Sequence, residues 1–375
     1  MLLNPISHCL ITHKEHKMIT EAHGADIYTA AEKSGTDKDS IIDFSSNINP
    51  LGMSESVKKA AVNSIARSNK YPDINSRELT KSISRFENVP EGRIFAANGA
   101  AEAIFRIAFY LRPKRGLVTA PAFSEYENAL NSISSKVEYY NLKEEYDFKI
   151  QDDILNHINS ETGIVFICNP NNPTGQLTNR GTLERIISCC KEVGAFAVVD
   201  ECFLDFVEGK EKYSTVKLLD KYDNLIILKA FTKIYAIPGI RLGYCLSSDE
   251  RLIDGLKKSG PPWNVSTIAQ AAGVAALEEN DYVKRTVEYV NRQRKYLTEE
   301  LNRLNIKTYD SRANYILFMI HDGMDLKEEM LKRGILIRSC SNYKNLGSNY
   351  YRIAVRREEE NRLFIKTLKG ITGSK

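Results

Sequence analysis

The stretch KAFTKIYAIPGIRLGY, residues 229–244, decides which fold this sequence encodes. The apolar run just before it, 225–228, predicts a buried strand, and Pro238 with the glycine that follows predicts a break in the chain. Lys233 and Arg241 therefore lie where a strand end opens toward a cleft, which is the usual place for ligands in α/β sheets. A surface lysine on a turn is the alternative for Lys233 taken alone, so the other segments of the chain decide between the two interpretations.

Length and composition describe an ordinary globular chain without an obvious macromolecular partner. The 375 residues are enough for two domains, and 42% hydrophobic with 27% charged residues is typical of soluble proteins. The net charge of +4 is small and both signs are mixed along the chain, so no basic face for nucleic acid is predicted. Since no apolar run reaches the roughly 18 residues of a membrane span, we predict no membrane partner either.

The cysteines and the N-terminal histidines indicate neither a disulfide framework nor a metal site. Seven cysteines lie at unrelated positions without a CxxC pair, which favours a reducing, cytoplasmic setting. The N-terminal residues that could bind a metal match no usual zinc spacing; they are His8, Cys9, His13 and His16. We interpret residues 1–18 as an arm-like extension and predict no metal.

From about residue 53 the chain alternates predicted helices with short apolar strands. Continuous apolar strands separated by helices are typical of a mostly parallel sheet covered on both faces. The strands are predicted at 116–119, 136–140, 163–168, 195–199, 225–228, 315–319, 335–338 and 351–355, and the helices at 54–68, 78–86, 100–110, 182–193, 266–304, 325–333 and 358–369. We predict an α/β fold with an N-terminal arm (1–47), a large domain (48–275) and a smaller α+β C-terminal domain (276–375).

Three other predicted strand or helix ends carry polar residues. NPNNPTG at 169–175 follows a buried strand, and its Asn-Pro pairs predict a rigid extended turn that holds Asn172 at the sheet edge. Asp200 ends another apolar strand, where an unpaired carboxylate would be costly, so it needs a buried cationic partner unless it caps a helix. NGAAEAIF at 98–105 is a glycine turn that opens a helix, and the first N–H groups of a helix form an anion site.

In this order and spacing, these residues resemble the fold-type I enzymes that use pyridoxal 5'-phosphate (PLP), the aspartate aminotransferase superfamily. The resemblance runs from about residue 23 to 370. It implies that Lys233 is the catalytic residue and binds the cofactor aldehyde covalently. Asp200 would pair with the pyridine nitrogen and keep it protonated, and Asn172 would donate to the phenolate oxygen of the ring.

The resemblance also implies the remaining cofactor contacts. Arg241 would hold the cofactor phosphate, together with the N–H groups at the start of the helix. Those N–H groups belong to Gly99, Ala100 and Ala101. Phe123 in APAFSEY would stack on the ring, and Tyr71 in KYPD would reach the phosphate of a neighbouring subunit, which implies a homodimer.

Two residues depart from the pattern of the superfamily. Phe203 stands where aminotransferases usually place a tyrosine that bonds the phenolate oxygen, so that bond is missing. Ala230 stands where many relatives place a serine that binds the phosphate, and Thr232 is the replacement donor.

Within the superfamily, the chain is similar to the threonine-phosphate decarboxylases of cobalamin synthesis and next to the histidinol-phosphate aminotransferases. Four stretches favour the decarboxylases; they are HGAD (23–26), DFSSNINPLG (43–52), FTKIYAIPGIRLGY (231–244) and IRSCSNYKNLGSNYYRIAVR (337–356). By motif, Arg352 would clamp the substrate carboxylate in a bidentate fork. The residues implied at the substrate phosphate and its surroundings, together with Asn172, are Arg338, His23, Gly24 and Asn47. Exposed salt bridges are the alternative for the two arginines, and a loop histidine for His23.

The resemblance implies a cytoplasmic homodimer that decarboxylates a small O-phospho-L-amino acid. L-Threonine O-3-phosphate would give 1-amino-2-propanol O-2-phosphate for the cobamide nucleotide loop, and L-serine O-phosphate would give ethanolamine phosphate. These substrates differ by one methyl group, worth about 1–3 kcal/mol, so both stay open. The alternatives are a histidinol-phosphate aminotransferase and a non-catalytic PLP-domain regulator, for whose DNA-binding module residues 1–18 are too short.

Overall fold

The computed structural model describes residues 24–321 and 323–373, and the strands of this part of the chain form three sheets. His23 and residues 1–18, which enter the predictions above, lie outside the described residues. The strands are β1 Ile42–Asp43, β2 Ile94–Ala97, β3 Arg115–Ala120, β4 Lys136–Asn141, β5 Ile164–Cys168, β6 Phe196–Asp200, β7 Leu225–Ala230, β8 Gly243–Leu246, β9 Lys307–Thr308, β10 Tyr315–Met319, β11 Ile335–Leu336, β12 Arg338–Ser339 and β13 Tyr350–Ala354.

The helices between the strands begin, in several cases, at side chains that cap their first turn. Ser54 accepts a hydrogen bond from the backbone N–H of Val57, and Asn179 accepts one from that of Thr182. The α-helices are α1 Ile27–Ser34, α2 Glu55–Ser64, α3 Arg77–Glu87, α4 Ala100–Leu111, α5 Glu125–Ser132, α6 Arg180–Glu192, α7 Phe231–Ile234, α8 Glu250–Lys258, α9 Thr267–Ala276, α10 Asn280–Arg303, α11 Leu326–Leu331 and α12 Glu358–Thr372. Short 3₁₀ helices lie at Lys38–Ser40, Ile65–Arg67, Glu91–Arg93, Glu144–Tyr146, Asp152–His157, Leu204–Phe206, Lys210–Lys212 and Val216–Asp220.

The central sheet has the strand order β2-β8-β7-β6-β5-β3-β4 within the described part of the chain. Strands β4, β3, β5, β6 and β7 are parallel, and β8 is antiparallel to both β7 and β2. All residues of β5 and β7 are buried, as expected for parallel strands covered on both faces. The carboxyl ends of β5, β6 and β7 therefore lie side by side at one edge of the sheet.

The C-terminal part of the chain forms a smaller antiparallel sheet with the order β12-β13-β10-β9. Arg338 of β12 and Arg352 of β13 are direct cross-strand partners, so their side chains lie on the same face. The arm joins this region through β1, which pairs in parallel with β11. One hydrophobic core, to which Phe44, Ile226 and Phe318 belong, connects the arm, the central sheet and the smaller sheet.

The mostly parallel α/β architecture predicted from the sequence is confirmed. The tract predicted as one broken helix at 266–304 forms α9 and α10, and the link around Lys233 forms the short helix α7 rather than an open turn. The prediction missed β1, β2, β9, α1, α5 and α8, because elements this short show only one or two repeats of their hydrophobic period. The domain boundaries at residues 47 and 275 stay a prediction.

Candidate active site

A cavity of about 340 Å³ opens at the carboxyl ends of β5, β6 and β7. Most of the residues predicted for the site line it; they are Gly24, Asn47, Ala100, Ala101, Phe123, Asn172, Asp200, Thr232, Lys233, Arg241 and Arg352. The departing residues Phe203 and Ala230 line it as well. Residues of the arm, the central sheet and the smaller sheet therefore meet in one cavity.

Lys233 lies in α7, directly after β7, and its side chain borders the cavity. Burial, and next the charge of Arg352, lower the pKa of Lys233 to about 8. The Nζ atom lies 5.8 Å from the centroid of the Phe203 ring. A lowered pKa leaves part of the side chain as a neutral amine near neutral pH, and the neutral amine is the form that attacks a carbonyl.

Asp200 is the last residue of β6 and is buried at the floor of the cavity. Its Oδ2 accepts a hydrogen bond of 2.6 Å from the Tyr126 hydroxyl, and its Oδ1 accepts one of 2.9 Å from the Cys202 backbone N–H. Burial raises the pKa of Asp200 above its ordinary value, although these hydrogen bonds oppose the change. The carboxylate is therefore fixed in place and would be stabilised by a cationic group in the cavity.

Asn172 and Arg352 meet across the cavity. Arg352 donates from one terminal nitrogen to Oδ1 of Asn172 and from the other to the Ser45 carbonyl, 2.6 Å away. Because Oδ1 of Asn172 accepts from the arginine, its Nδ2 group is left as a donor toward the cavity. The Nε atom of Arg352 is buried and has no hydrogen-bond partner among the described residues.

The start of α4 and Arg241 form a cationic and N–H-rich end of the cavity. Ala100 and Ala101 are in the first turn of α4, whose N–H groups have no carbonyl partner within the helix. A Cβ atom on Gly99 would lie 2.8 Å from Nη2 of Arg241, so a glycine lets the guanidinium approach. Arg241 itself has a φ of +62°, a strained value for a residue with a side chain.

The N–H group of Gly99, which is predicted to hold an anion, has a partner within its own turn. That N–H donates to the Ala97 carbonyl at 2.8 Å, because the turn between β2 and α4 closes on itself. The role of this N–H group toward a phosphate stays a prediction. Ala100 and Ala101 remain as the predicted N–H donors.

Arg338 is placed beside the cavity rather than on its wall. It borders two small side cavities, and its guanidinium carbon lies 5.4 Å from the centroid of the Tyr343 ring. It donates to Oδ1 of Asn342 at 2.7 Å. Tyr343 lines both the main cavity and one of the side cavities, so this ring borders the space between Arg338 and the cofactor end.

The arm contributes Gly24 and Asn47 to the cavity wall. A Cβ atom on Gly24 would lie 2.4 Å from the Ser45 carbonyl oxygen, so the close approach of the two segments requires glycine. Oδ1 of Asn47 is buried and has no hydrogen-bond partner in the described part of the chain. A ligand with a hydrogen-bond donor would satisfy this group.

Tyr71 lies away from the cavity of its own chain. It is 79% exposed, and its ring stacks on that of Trp263 with a centroid distance of 4.6 Å. Two exposed aromatic rings in contact are unusual on a surface that faces only water. The predicted role of Tyr71 toward a neighbouring subunit stays a prediction.

Several residues of the site have no local sequence signature and were not predicted. Tyr126 follows Phe123 by one helical turn, but its bond to Asp200 depends on how α5 packs against the sheet. Ser45 supplies a carbonyl to Arg352, which no side-chain pattern reveals. Tyr343 belongs to the stretch 337–356, which resembles the decarboxylases, but no role was predicted for Tyr343 itself. It lines the cavity because the loop between β12 and β13 brings it there.

The described ranges contain no group of three or more histidine, cysteine or acidic residues arranged to hold a metal ion. In the same ranges, no helix combines the length and the apolar character needed to cross a membrane.

The fold and the site together define a PLP-dependent enzyme of fold type I. The family profile "Aminotransferase class I and II" matches residues 39–368, and the chain belongs to this family. It is 35% identical to the threonine-phosphate decarboxylase of Salmonella typhimurium, over 94% of this chain and 97% of the relative. It is 31% identical to the histidinol-phosphate aminotransferase of Methanosphaera stadtmanae, over 91% and 93%. The crystal structure of L-threonine-O-3-phosphate decarboxylase from Porphyromonas gingivalis superposes with a TM-score of 0.79 at 26% identity, over 88% of this chain and 99% of that one.

The family uses PLP, and the residues of this cavity fit that cofactor. An amine with a pKa of about 8 is available at Lys233, and Asp200 offers a buried carboxylate of raised pKa that a protonated pyridine nitrogen would satisfy. The first turn of α4 and Arg241 provide donors for a phosphate, with Gly99 keeping the two close together. Lys233, Asp200, Asn172 and Arg241 would thus hold the cofactor.

Proposed function

We propose that this enzyme decarboxylates a small O-phospho-L-amino acid, either L-threonine O-3-phosphate or L-serine O-phosphate. The products would be 1-amino-2-propanol O-2-phosphate, for the cobamide nucleotide loop, or ethanolamine phosphate. The observation that carries the proposal is the cross-strand pairing of Arg338 with Arg352, which places two buried cations on one face beside the cavity. A phospho-amino acid carries two anions, a carboxylate and a phosphate, that match this pair.

The chain's own residues would divide the work of binding. Arg352 would hold the carboxylate, since its Nε is buried without a partner in the described chain while its terminal nitrogens are fixed by Asn172 and Ser45. Arg338 would draw the phosphate to the side, and Gly24 and Asn47 would line its surroundings. His23, which lies outside the described residues, is proposed for the same group.

The reaction depends on which bond to the substrate Cα stands perpendicular to the cofactor ring. Bound PLP supplies an electron sink for the charge that develops at Cα. A transaminase presents the Cα–H bond in this direction, whereas a decarboxylase presents the carboxylate. In our proposal, Arg338 would hold the short phosphate and Arg352 the carboxylate, so that these two contacts would orient the bonds at Cα, and Lys233 would return a proton to Cα after CO₂ leaves.

The test is to supply the PLP-loaded enzyme with each phospho-amino acid, without any keto acid, and to identify the products. We expect CO₂ and the amino-alcohol phosphate in equal amounts. Accumulation of pyridoxamine phosphate together with a keto product, relieved by 2-oxoglutarate, would instead make this enzyme a transaminase. The ratio of kcat/KM for the two substrates then decides between phosphothreonine and phosphoserine.

Histidinol-phosphate transamination is the second candidate function, since a relative with that name matches with nearly the same coverage and 31% identity. It would use the same cofactor residues, and 2-oxoglutarate also carries two anions. Dependence of turnover on 2-oxoglutarate supports this candidate. A PLP-loaded protein that turns over none of these compounds would support the remote alternative, a non-catalytic regulator.

We further propose that the enzyme is a homodimer in the cytoplasm. The exposed, stacked pair of Tyr71 and Trp263 supports a covered surface, and Tyr71 would reach the cofactor phosphate of the neighbouring subunit. The cysteines of the described chain are free thiols, which suits a reducing compartment; they are Cys168, Cys189, Cys190, Cys202, Cys245 and Cys340. Sedimentation analysis of the PLP-loaded enzyme and of a Tyr71→Ala variant tests the dimer.

A further inference from the structure

A buried ion pair lies directly behind the ends of β6 and β7. Lys229, the last residue but one of β7, places its Nζ 3.0 Å from Oε2 of Glu201 and 3.6 Å from Oε1 of Glu87. The three side chains are 4%, 0% and 9% exposed. A lysine so deeply buried and so closely paired is rare, and nothing in the proposed reaction uses it.

The two carboxylates are held firmly by other groups. Glu201 accepts hydrogen bonds from the Thr215 backbone N–H at 2.6 Å, the Thr215 hydroxyl at 2.8 Å and the Ser214 hydroxyl at 3.0 Å. Glu87, at the end of α3, accepts one of 2.5 Å from the hydroxyl of Tyr244 on β8. The ammonium of Lys229 therefore joins α3, β6, β7 and the loop at Thr215 at one point.

The charges of this region nearly balance. Asp205 is the third acidic group, and Lys210 donates to it at 2.5 Å, so three carboxylates face two ammonium groups. Although burial acts in the opposite direction, the charges of Glu87, Glu201 and Asp205 raise the pKa of Lys229 above its ordinary value. Lys229 is thus a permanent cation, and its removal would leave the region with excess negative charge. The other titratable groups that face it are the phenols of Tyr235 and Tyr244.

The pair is coupled to the cofactor site by the backbone. Glu201 directly follows Asp200. The backbone N–H of Glu201 donates to the Leu228 carbonyl at 2.9 Å, a hydrogen bond that joins the end of β6 to β7. Lys229 precedes Lys233 by four residues and borders a separate cavity of about 400 Å³. Successive residues at a strand end point to opposite faces, so Asp200 faces the cofactor while Glu201 faces Lys229.

We propose that Lys229 is a positioning residue for the cofactor. Its ammonium group, 3.0 Å from Glu201, cancels the charge of the carboxylate next to Asp200. The cofactor therefore experiences the negative charge of one carboxylate, Asp200, rather than the charges of both Asp200 and Glu201. In support, the charge of Glu201 adds to burial in raising the pKa of Asp200.

The test compares single and double variants of the PLP-loaded enzyme by the pH midpoint at which the absorbance of the bound cofactor changes. Lys229→Met removes a cation, so nearby groups hold their protons to higher pH and the midpoint rises. Glu201→Gln removes an anion, so the midpoint falls. Each shift is expected to be roughly 1.2 pH units, the size for one charge about 10 Å away at an effective dielectric constant of about 20. The double variant should return to within about 0.3 unit of the parent midpoint, since the two shifts have opposite signs.

A merely structural role gives a different pattern. Loosening of the strand ends would move both single variants in the same direction and the double variant further still, and that result overturns the proposal. Two folded single variants with unchanged midpoints overturn it as well. Lys217→Met is the matched control, because Lys217 borders the same cavity but is exposed. If Lys229→Met does not fold, Lys229→Arg replaces it in the test. Lys229→Arg keeps the cation, so its pH midpoint should equal that of the parent, while Glu201→Gln should still lower the midpoint. A shift in Lys229→Arg equal to that in Glu201→Gln would contradict the proposal.

Discussion

The cofactor end of the cavity is built from neighbouring strand ends of one sheet, whereas its substrate end is assembled from the arm and the smaller sheet. Asp200 is the last residue of β6, and Asn172 and Lys233 lie shortly after β5 and β7, so a regular parallel ladder sets where the three segments leave the sheet. At the substrate end, Gly24 and Arg352 belong to segments at opposite ends of the chain. Their relative position depends on β1 pairing with β11 and on the Arg352 bond to the Ser45 carbonyl.

This difference explains why the family relationship is clear while the reaction stays a proposal. The cofactor end performs chemistry that decarboxylases and transaminases share, so it identifies the family and not the substrate. In our proposal, the substrate end would hold the two anions of a ligand, and it is formed by loops and short strands that can change without disturbing the sheet. The predictions below separate the two ends by their effects on cofactor binding and on substrate choice.

Lys233→Ala is expected to have the largest effect, because it removes the only amine placed among the cavity-lining residues of the described chain. The purified parent enzyme should be yellow, and borohydride should fix the cofactor to Lys233, as detected by the mass of the protein. The variant should gain no mass after PLP and borohydride treatment. Lys217→Ala, which changes an exposed lysine, is the control and should behave as the parent does. A covalent adduct in Lys233→Ala would contradict the assignment.

The sequence predicted the cofactor end because strand ends and turns have local signatures. Asp200 directly follows an apolar run, and Asn172 and Lys233 lie four and five residues after one, so each is predicted from a single segment. The partners with which these side chains form hydrogen bonds or ion pairs cannot be predicted from a single segment. The Tyr126 bond to Asp200 and the Lys229 pair with Glu201 join separate segments and depend on packing that no segment shows alone. The hydrogen bond from the Gly99 N–H to the Ala97 carbonyl likewise depends on the tight turn before α4, which the glycine alone does not reveal.

Arg352→Met should weaken the substrate end while leaving the cofactor in place. The loss of a buried guanidinium that faces a carboxylate costs about 2–5 kcal/mol, or roughly 30- to 4,000-fold in kcat/KM. The absorbance of the bound cofactor should persist, since Lys233, Asp200 and Arg241 are unchanged. Arg333→Met, at an exposed arginine of α11's C-terminal flank, is the matched control. Loss of cofactor binding in Arg352→Met would show that the two ends are not separable.

Arg338→Ala should have a smaller and more selective effect. If Arg338 holds the substrate phosphate, phosphothreonine and phosphoserine should lose kcat/KM alike, by roughly 10- to 100-fold. Unphosphorylated threonine and serine should be unaffected, so the preference for phosphorylated substrates disappears. Unchanged discrimination in this variant would place the phosphate elsewhere, away from the side cavities that Arg338 borders.

The rate at which the protein binds PLP should depend on pH through Lys233, and Arg352 at the substrate end should affect that dependence. Because the pKa of Lys233 is lowered to about 8, capture of PLP by the cofactor-free protein should slow about tenfold per pH unit below that value and level off above it. Arg352 contributes to the lowered pKa, so Arg352→Met should move the midpoint to higher pH, while Arg333→Met should not. Stopped-flow absorbance measures both. A midpoint near the ordinary lysine value of about 10.4 in the parent would refute the assigned environment.

Phe203→Tyr tests the smallest expected difference, a single hydrogen bond at the cofactor end. Phe203 lines the cavity, and its ring packs edge-on against Tyr315 with a centroid distance of 5.0 Å. In relatives with tyrosine here, the hydroxyl would donate to the phenolate oxygen of the cofactor, a bond that favours the deprotonated form. The variant should therefore lower the pH midpoint of the cofactor absorbance by about 1 unit, the size of one hydrogen bond to a charged group.

The exposed Phe109 offers a control for this last substitution, because Phe109→Tyr adds the same hydroxyl far from the cofactor. That variant should keep the parent midpoint. Phe203→Tyr should leave the substrate end unchanged. The ratio of kcat/KM for phosphothreonine to that for phosphoserine should therefore stay within about twofold of the parent ratio, well below the roughly tenfold change that 1.4 kcal/mol produces. A midpoint that rises, or a ratio that changes by tenfold, would mean that Phe203 acts on the substrate and that the two ends share this residue.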